Sequence, residues 1–366
     1  MTNVIRLLVC AIGVAVAGAS SAAQRTFVAS YGLAANTAFN CSIAKPCRAF
    51  SEAISVTDPA GEVVVLDSAG YGPVSIAHSV SIIAPAGVYA GVSVLSGDGI
   101  SVGATAADKI ILRGLTINGQ GGARGIVFLT GGQLVIDRCT VSGMTGNGIE
   151  LGIASGATTI VETATERNGG NGIEFVDRPT GISTGVVTSV RSSNNVNRGL
   201  RTGAGSQVSV TSSVFQRNGN GGVWAFTGTT NAAPGKLDLT RSVVSDNGTE
   251  GVVVVVQFGA ATFIQALISE NVITDNTIAG IEVGATSAAA GGVRAVVSRN
   301  EVRGHAIGMI FNRANAVVVL NGNVVAQSST TGVDIRNGAV VRSGGDNVVD
   351  DNSTNEAGSA VPVNLM

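Results

Sequence analysis

From residue 63 onward the chain sets short apolar runs of Val, Ile and Leu between Gly, Asn, Ser and Thr, and no 3.6-residue rhythm lasts long enough for a helix. Runs such as 134–136, 237–239 and 266–268 read as short strands. A longer period lies over them. A glycine followed by an apolar residue recurs at Gly125-Ile126, Gly148-Ile149, Gly172-Ile173, Gly199-Leu200, Gly222-Val223, Gly251-Val252, Gly280-Ile281, Gly308-Met309 and Gly332-Val333, with spacings of 23 to 29 residues. One obligatory apolar residue per unit of this size marks a solenoid, in which each unit buries its face only against its neighbours. A solenoid of short strands is a parallel β-helix, all-β, with about ten or more coils. At about 4.8 Å per coil, the steps from Gly99 to Gly332 predict a rod of roughly 45 Å.

A second column fixes the register. Cys139, Thr163, Ser213, Ser242, Asn271, Asn300 and Asn323 stand nine residues before the next repeat glycine, except Asn300, which stands eight before Gly308. Asn347 extends the column, and in the weakest coil the same count lands on Val190. All length variation therefore falls on the other arc, as in a β-helix with one functional edge. Five residues beyond this column come Asn168, Asn195, Asn218, Asn247 and Asn276, with His305 in the next coil. An Asn in every coil predicts a left-handed turn and a hydrogen-bonded ladder, with His305 as a substitute rung. Arg138, Glu162, Arg241, Glu270 and Arg299 precede the first column and predict a modest cross-strand charge ladder.

The ends of the chain read differently. An apolar run at 7–19 followed by Ser21-Ala22-Ala23 predicts a cleaved export signal over 1–23, hence a periplasmic or extracellular protein with no membrane span in its mature form. Residues 24–57 then form a cap, 58–352 the β-helix and 353–366 a tail. Cys41 and Cys47, so close together in an exported chain, predict a disulfide, and Cys139 a buried thiol. Pro46 suits the first turn of a helix, and Phe50, Ala53 and Ile54 share one face of a short helix to about residue 56, placed to cover the first coil. Asp58-Pro59-Ala60-Gly61 reads as a turn before a strand at 63–66.

Composition narrows the partners. Charged residues make up 13%, the formal net charge is −2 and no Lys/Arg cluster exists, which speaks against nucleic acid and anionic lipid.

With the Gly-Ile-Glu repeats, the Asn column, and Ala49-Phe50-Ser51-Glu52-Ala53-Ile54 leading to Gly70-Tyr71-Gly72, the chain resembles the right-handed parallel β-helix proteins of the pectate-lyase-like superfamily over residues 24–352. The Cys41 to Phe50 opening is similar to the cap of exported bacterial members of unassigned activity. The resemblance implies three stacked sheets and, in many relatives, a polysaccharide in a groove along the rod. The pectinolytic motifs are missing. Gly304-His305-Ala306 and Asp350-Asp351 stand in the wrong order, and Asp177-Arg178-Pro179-Thr180 does not match the Arg-rich lyase motif.

Alternation along a strand turns the residue after each Gly-apolar pair outward. That column reads Val127, Glu150, Glu174, Arg201, Trp224, Val253, Glu282, Ile310 and Asp334. Glu150 and Glu174 on adjacent coils suit a shared Ca²⁺ bridging to a uronate, with Arg201 as base for β-elimination. Two close carboxylates also suit a retaining glycosidase. Trp224 offers a stacking surface for a sugar, and Asp177 and Arg178 stand in the lengthened loop beside it. The reading is an exported rod contacting envelope or extracellular polysaccharide. Its rivals are a polysaccharide lyase using Glu150, Glu174 and Arg201, and a surface adhesion rod. The bland alternative for the column is a solvated charge row in which Arg201 eases the Glu174 repulsion. The loops at 227–235, 257–262 and 285–292 hold almost nothing that ionises and predict a wall at most.

Overall fold

The structure is a computed structural model. It describes residues 23–362 apart from 154, 179, 228–232, 258–262 and 286–290, so the expected signal sequence and most of the three long loops lie outside the described residues. The chain winds as a parallel β-helix of three sheets with 14, 12 and 12 strands. One coil illustrates the rest. Gln133–Asp137 belongs to the first sheet, Thr140–Ser142 to the second and Ile149–Leu151 to the third, and each pairs in parallel with its counterparts one coil away. The register is the one the repeat glycines predict. Ile100, Ile126, Ile149, Ile173, Leu200, Val223, Val252, Ile281, Met309 and Val333 stand in line through the third sheet, and all are buried. The repeat glycines are tight because the next coil's backbone lies against most of them and side chains crowd Gly172. A Cβ on Gly125 would sit 2.6 Å from the Gly148 carbonyl oxygen and 2.2 Å from the Val141 side chain.

Both polar columns are ladders, and the backbone geometry corrects one expectation. The Asn residues are not themselves left-handed. The residue before each one is, with Arg167, Asn194, Arg217, Asp246 and Asp275 at φ of 53 to 57°. In the first column the same role falls to Arg138, Glu162, Ser212, Arg241, Glu270 and Arg299. One such residue turns the corner and aims the next N–H along the rod axis at the following coil's side-chain oxygen. Asn195 donates from its backbone to Asn218 Oδ1 at 3.1 Å and from its side chain to the same atom at 2.9 Å, and Asn218 repeats this on Asn247. Asn276 donates to His305 Nδ1 at 3.1 Å, so the histidine is a rung. Val190, in the weakest coil, still donates its N–H to Ser213 Oγ at 3.1 Å. The charged residues at the corners pair only in places, Arg299 with Glu270 at 2.9 Å and Arg241 with Glu270 at 4.0 Å.

The helix expected in the cap is short. It spans Phe50–Ile54 and buries Phe50, Ala53 and Ile54, packing against strands Ala23–Val28, Thr57–Val65 and Val74–Ile76. Glu52 holds its start by accepting the N–H groups of Arg48 and Ala49 at 2.9 Å each. Pro46 does not open this helix. Its carbonyl accepts from Leu33 N–H at 3.2 Å and from the Asn36 amide at 2.7 Å. The turn expected at 58–61 is absorbed into strand Thr57–Val65, with Ala60 at φ 66° marking the irregularity. Cys41 and Cys47 form a disulfide with Cα atoms 5.0 Å apart. Cys139 is a buried free thiol whose burial pushes its pKa up to about 12.

Candidate functional site: the outer face of the third sheet

The outward column of the third sheet is sheltered rather than fully solvated. Val127, Val253 and Ile310 were expected outside, yet they are 0, 2 and 5% exposed. Val253 stands in register between Trp224 and Glu282, two large neighbours that shield it.

Glu150 and Glu174 are paired strand to strand, as the sequence predicts, but neither is free. Arg124 donates to Glu150 Oε1 at 2.5 Å and forks onto both Asp98 oxygens at 2.9 Å. Its Asp98 bonds hold that guanidinium's pKa above its ordinary value. Asn147 donates to Glu150 Oε2 at 2.9 Å and to Glu174 Oε2 at 2.7 Å, so one amide bridges the carboxylates. Asn171 adds a 2.9 Å bond to Glu174 Oε2, and Arg201 donates to Glu174 Oε1 at 2.6 Å. The second fork of Arg201 reaches Asp177, whose other oxygen accepts from Ala204 N–H at 2.7 Å. Each carboxylate oxygen of this pair already has an NH donor. The donor set does not fit a calcium ion, which would have to displace two guanidinium groups and two amides. Among the described residues no three His, Cys, Asp or Glu side chains are gathered to hold a metal. Arg201 is equally committed and is not placed as a base.

The unpaired charges lie farther along the same face. Arg198 stacks its guanidinium 3.7 Å above the Trp224 ring. It makes no ion pair or side-chain hydrogen bond among the described residues, Glu174 and Glu250 acting on it only at longer range, and its Nε is buried without a hydrogen bond. Burial, and then the Arg201 charge, draw its pKa down. Trp224 rests against Gly221, where a Cβ would fall 2.7 Å from the indole nitrogen, so only glycine admits the ring there. Trp224 Nε1 is also buried and unpartnered. Beyond the indole come Glu250 and Glu282. Burial, and then the Glu250 charge, raise the Glu282 carboxyl pKa above its ordinary value. Arg178 lies across Gly152, with its Nε buried and unpartnered, so it joins the face at its other edge.

The structure thus gathers Glu150, Glu174, Arg201 and Asp177 into one saturated network and leaves Trp224 and Arg178 outside it. Sequence reasoning missed Arg124, Asn147, Asn171, Arg198 and Glu250, which all stand in corners or at strand starts rather than in the outward column. A signal for all five was available: each stands one residue before a repeat glycine, Gly125, Gly148, Gly172, Gly199 or Gly251.

Among families, the right-handed beta helix region matches residues 124–291. No curated protein matches the sequence. Among solved structures, the A-module of mannuronan C-5 epimerase AlgE4 from Azotobacter vinelandii superposes with a TM-score of 0.61 at 16% identity, over 84% of this chain and 89% of that one. The Dettilon tailspike protein gives 0.56 at 13%, over 81% and 62%. Pectate lyase Pel9A gives 0.50 at 14%, over 92% and 78%. At these identities the likeness establishes the fold alone.

Proposed function

We propose that the outer face of the third sheet of this right-handed parallel β-helix binds an acidic polysaccharide. One observation carries this reading. Arg198 is a half-buried cation stacked on an indole that makes no direct ion pair among the described residues, with Glu174 and Glu250 acting on it only at longer range. A uronate carboxylate supplies what the guanidinium lacks, and the sugar ring has Trp224 to lie beside. The neighbours named for polysaccharide-directed enzymes lend support at the level of fold. Export belongs to the same proposal and is supported by the apolar run at 7–19 and the disulfide.

The test is a panel of uronate-containing and neutral polymers scored for binding and for unsaturated products. Uronate polymers should bind with and without chelator, because no calcium is needed to bridge a carboxylate to Arg198. Arg198→Ala and Trp224→Ala should each weaken binding about tenfold, a loss near 1.4 kcal/mol. Equal binding of neutral and acidic polymers, or full affinity in Arg198→Ala, would discard the reading. A catalytic version is favoured by one further feature. Glu282 carries no ion pair or hydrogen bond among the described residues, and burial favours its protonated form, as for a general acid. Glu282→Gln should then abolish product release and leave binding intact.

A further inference from the structure

A second surface lies on the first sheet, away from the polysaccharide face. Strand register sets Lys236, Gln265, Arg294 and Val317 in one outward column and Asp238, Leu267, Val296, Val319 and Arg342 in the next. Together they line a trough of about 590 Å³, running roughly 19 Å along the rod at 4.8 Å per strand. Its floor is aliphatic, with Leu267, Val296, Val317 and Val319 facing out, Val296 38% exposed. The coil just before it presents Gln207 and Ser209 in the same columns, so the patch is confined to these coils.

The charges on its rim are unbalanced. Lys236 is neutralised by Asp238 at 2.6 Å. Arg294 stands 5.5 Å from the exposed Phe263 ring, and neither Arg294 nor Arg342 has a carboxylate partner among the described residues. Two guanidinium groups without ion pairs among the described residues, two coils apart across an aliphatic floor, call for an occupant that is anionic at both ends and aliphatic between. A second copy related by a two-fold axis would set these cations against each other. A sugar polymer finds no ring to stack on along the floor. We propose that this trough docks an acidic amphipathic polypeptide segment of a partner protein, its carboxylates on Arg294 and Arg342 and its aliphatic side chains on Leu267 and Val296.

Fluorescence anisotropy on the full chain tests this with a labelled 12-residue peptide alternating Glu and Leu, and its Lys-for-Glu counterpart. The acidic peptide should bind at least tenfold more tightly, and added salt should weaken it. Combined Arg294→Glu and Arg342→Glu should reduce binding at least tenfold, and Val296→Ser severalfold. Lys109→Glu, exposed on the same sheet upstream, should leave it unchanged. If the charge reversals disturb the fold by circular dichroism, Arg294→Gln with Arg342→Gln carries the test. No binding of the acidic peptide, equal binding of the two peptides, or undiminished binding by the arginine variants overturns the proposal. So does displacement of the peptide by a uronate polymer, which would assign the trough to polysaccharide.

Discussion

A single amide such as Asn218 closes four side-chain hydrogen bonds where water does not reach. It donates to Ser192 O and Asn247 Oδ1 and accepts twice from Asn195. Asn218→Ala leaves a buried N–H without an acceptor and opens a gap, so a loss on the order of 3 kcal/mol is expected. The exposed Asn220, bonded to Asn197 at 2.9 Å, is the control. Urea midpoints that fall equally for the two variants would refute the ladder's role. His305 gives the ladder a pH dependence. Burial lowers its folded pKa, so the native state resists a proton that the unfolded chain takes up near pH 6.5. This contribution is complete above that pH and is lost progressively as pH falls below it. His305→Asn restores an amide rung, and melting temperatures at pH 7.5 and pH 5 should then differ less than in the parent. The columns were legible because one residue type recurs at one spacing. The left-handed residues were not, because Asn194, Asp246 and Asp275 share their column with Arg167 and Arg217, which have no preference for that conformation and are placed there by the corner itself.

At the scale of a strand, side-chain alternation predicted the core but not the outer face. Ile173→Asp should cost several kcal/mol, since it drives an unpaired charge into the stack. Val253 looked safe from alternation alone, yet it is 2% exposed, so Val253→Thr should cost about 1–2 kcal/mol by burying a hydroxyl. Thermal melts check both, and a neutral Val253→Thr would mean that the outer face is open to water. Burial there depends on Trp224 and Glu282 in adjoining coils, a relation between strands that no single strand encodes. The same limit hid the pairing of Glu150 and Glu174 with Arg124 and Asn147, which reach them from corners. In the cap, the Cys41–Cys47 ring should contribute roughly 2 kcal/mol. Alkylation of the native protein should label no cysteine, and reaction of Cys41 before unfolding would contradict the disulfide.

For the molecule as a whole, the repeat period reveals the rod and says little about which side of it works. The sides differ in how their charges are settled. On the third sheet Arg124 and Arg201 are paired with carboxylates while Arg198 and Glu282 are not, and on the first sheet Arg294 and Arg342 stand without ion pairs among the described residues beside an aliphatic trough. The ladders carry a further consequence. In the coils whose columns carry Asn or Ser, each offers the same two backbone N–H groups to its successor's side-chain oxygens, whether the coil holds 23 residues or 29. Where both columns hold Asn or Ser, a whole coil can therefore be copied or removed without leaving a mismatched seam, because the flanking coils find equivalent partners. Rod length then becomes an inheritable quantity counted in increments of about 4.8 Å. A lineage of such proteins can be tuned to the span of its target by duplicating segments of the gene, with no new core to invent.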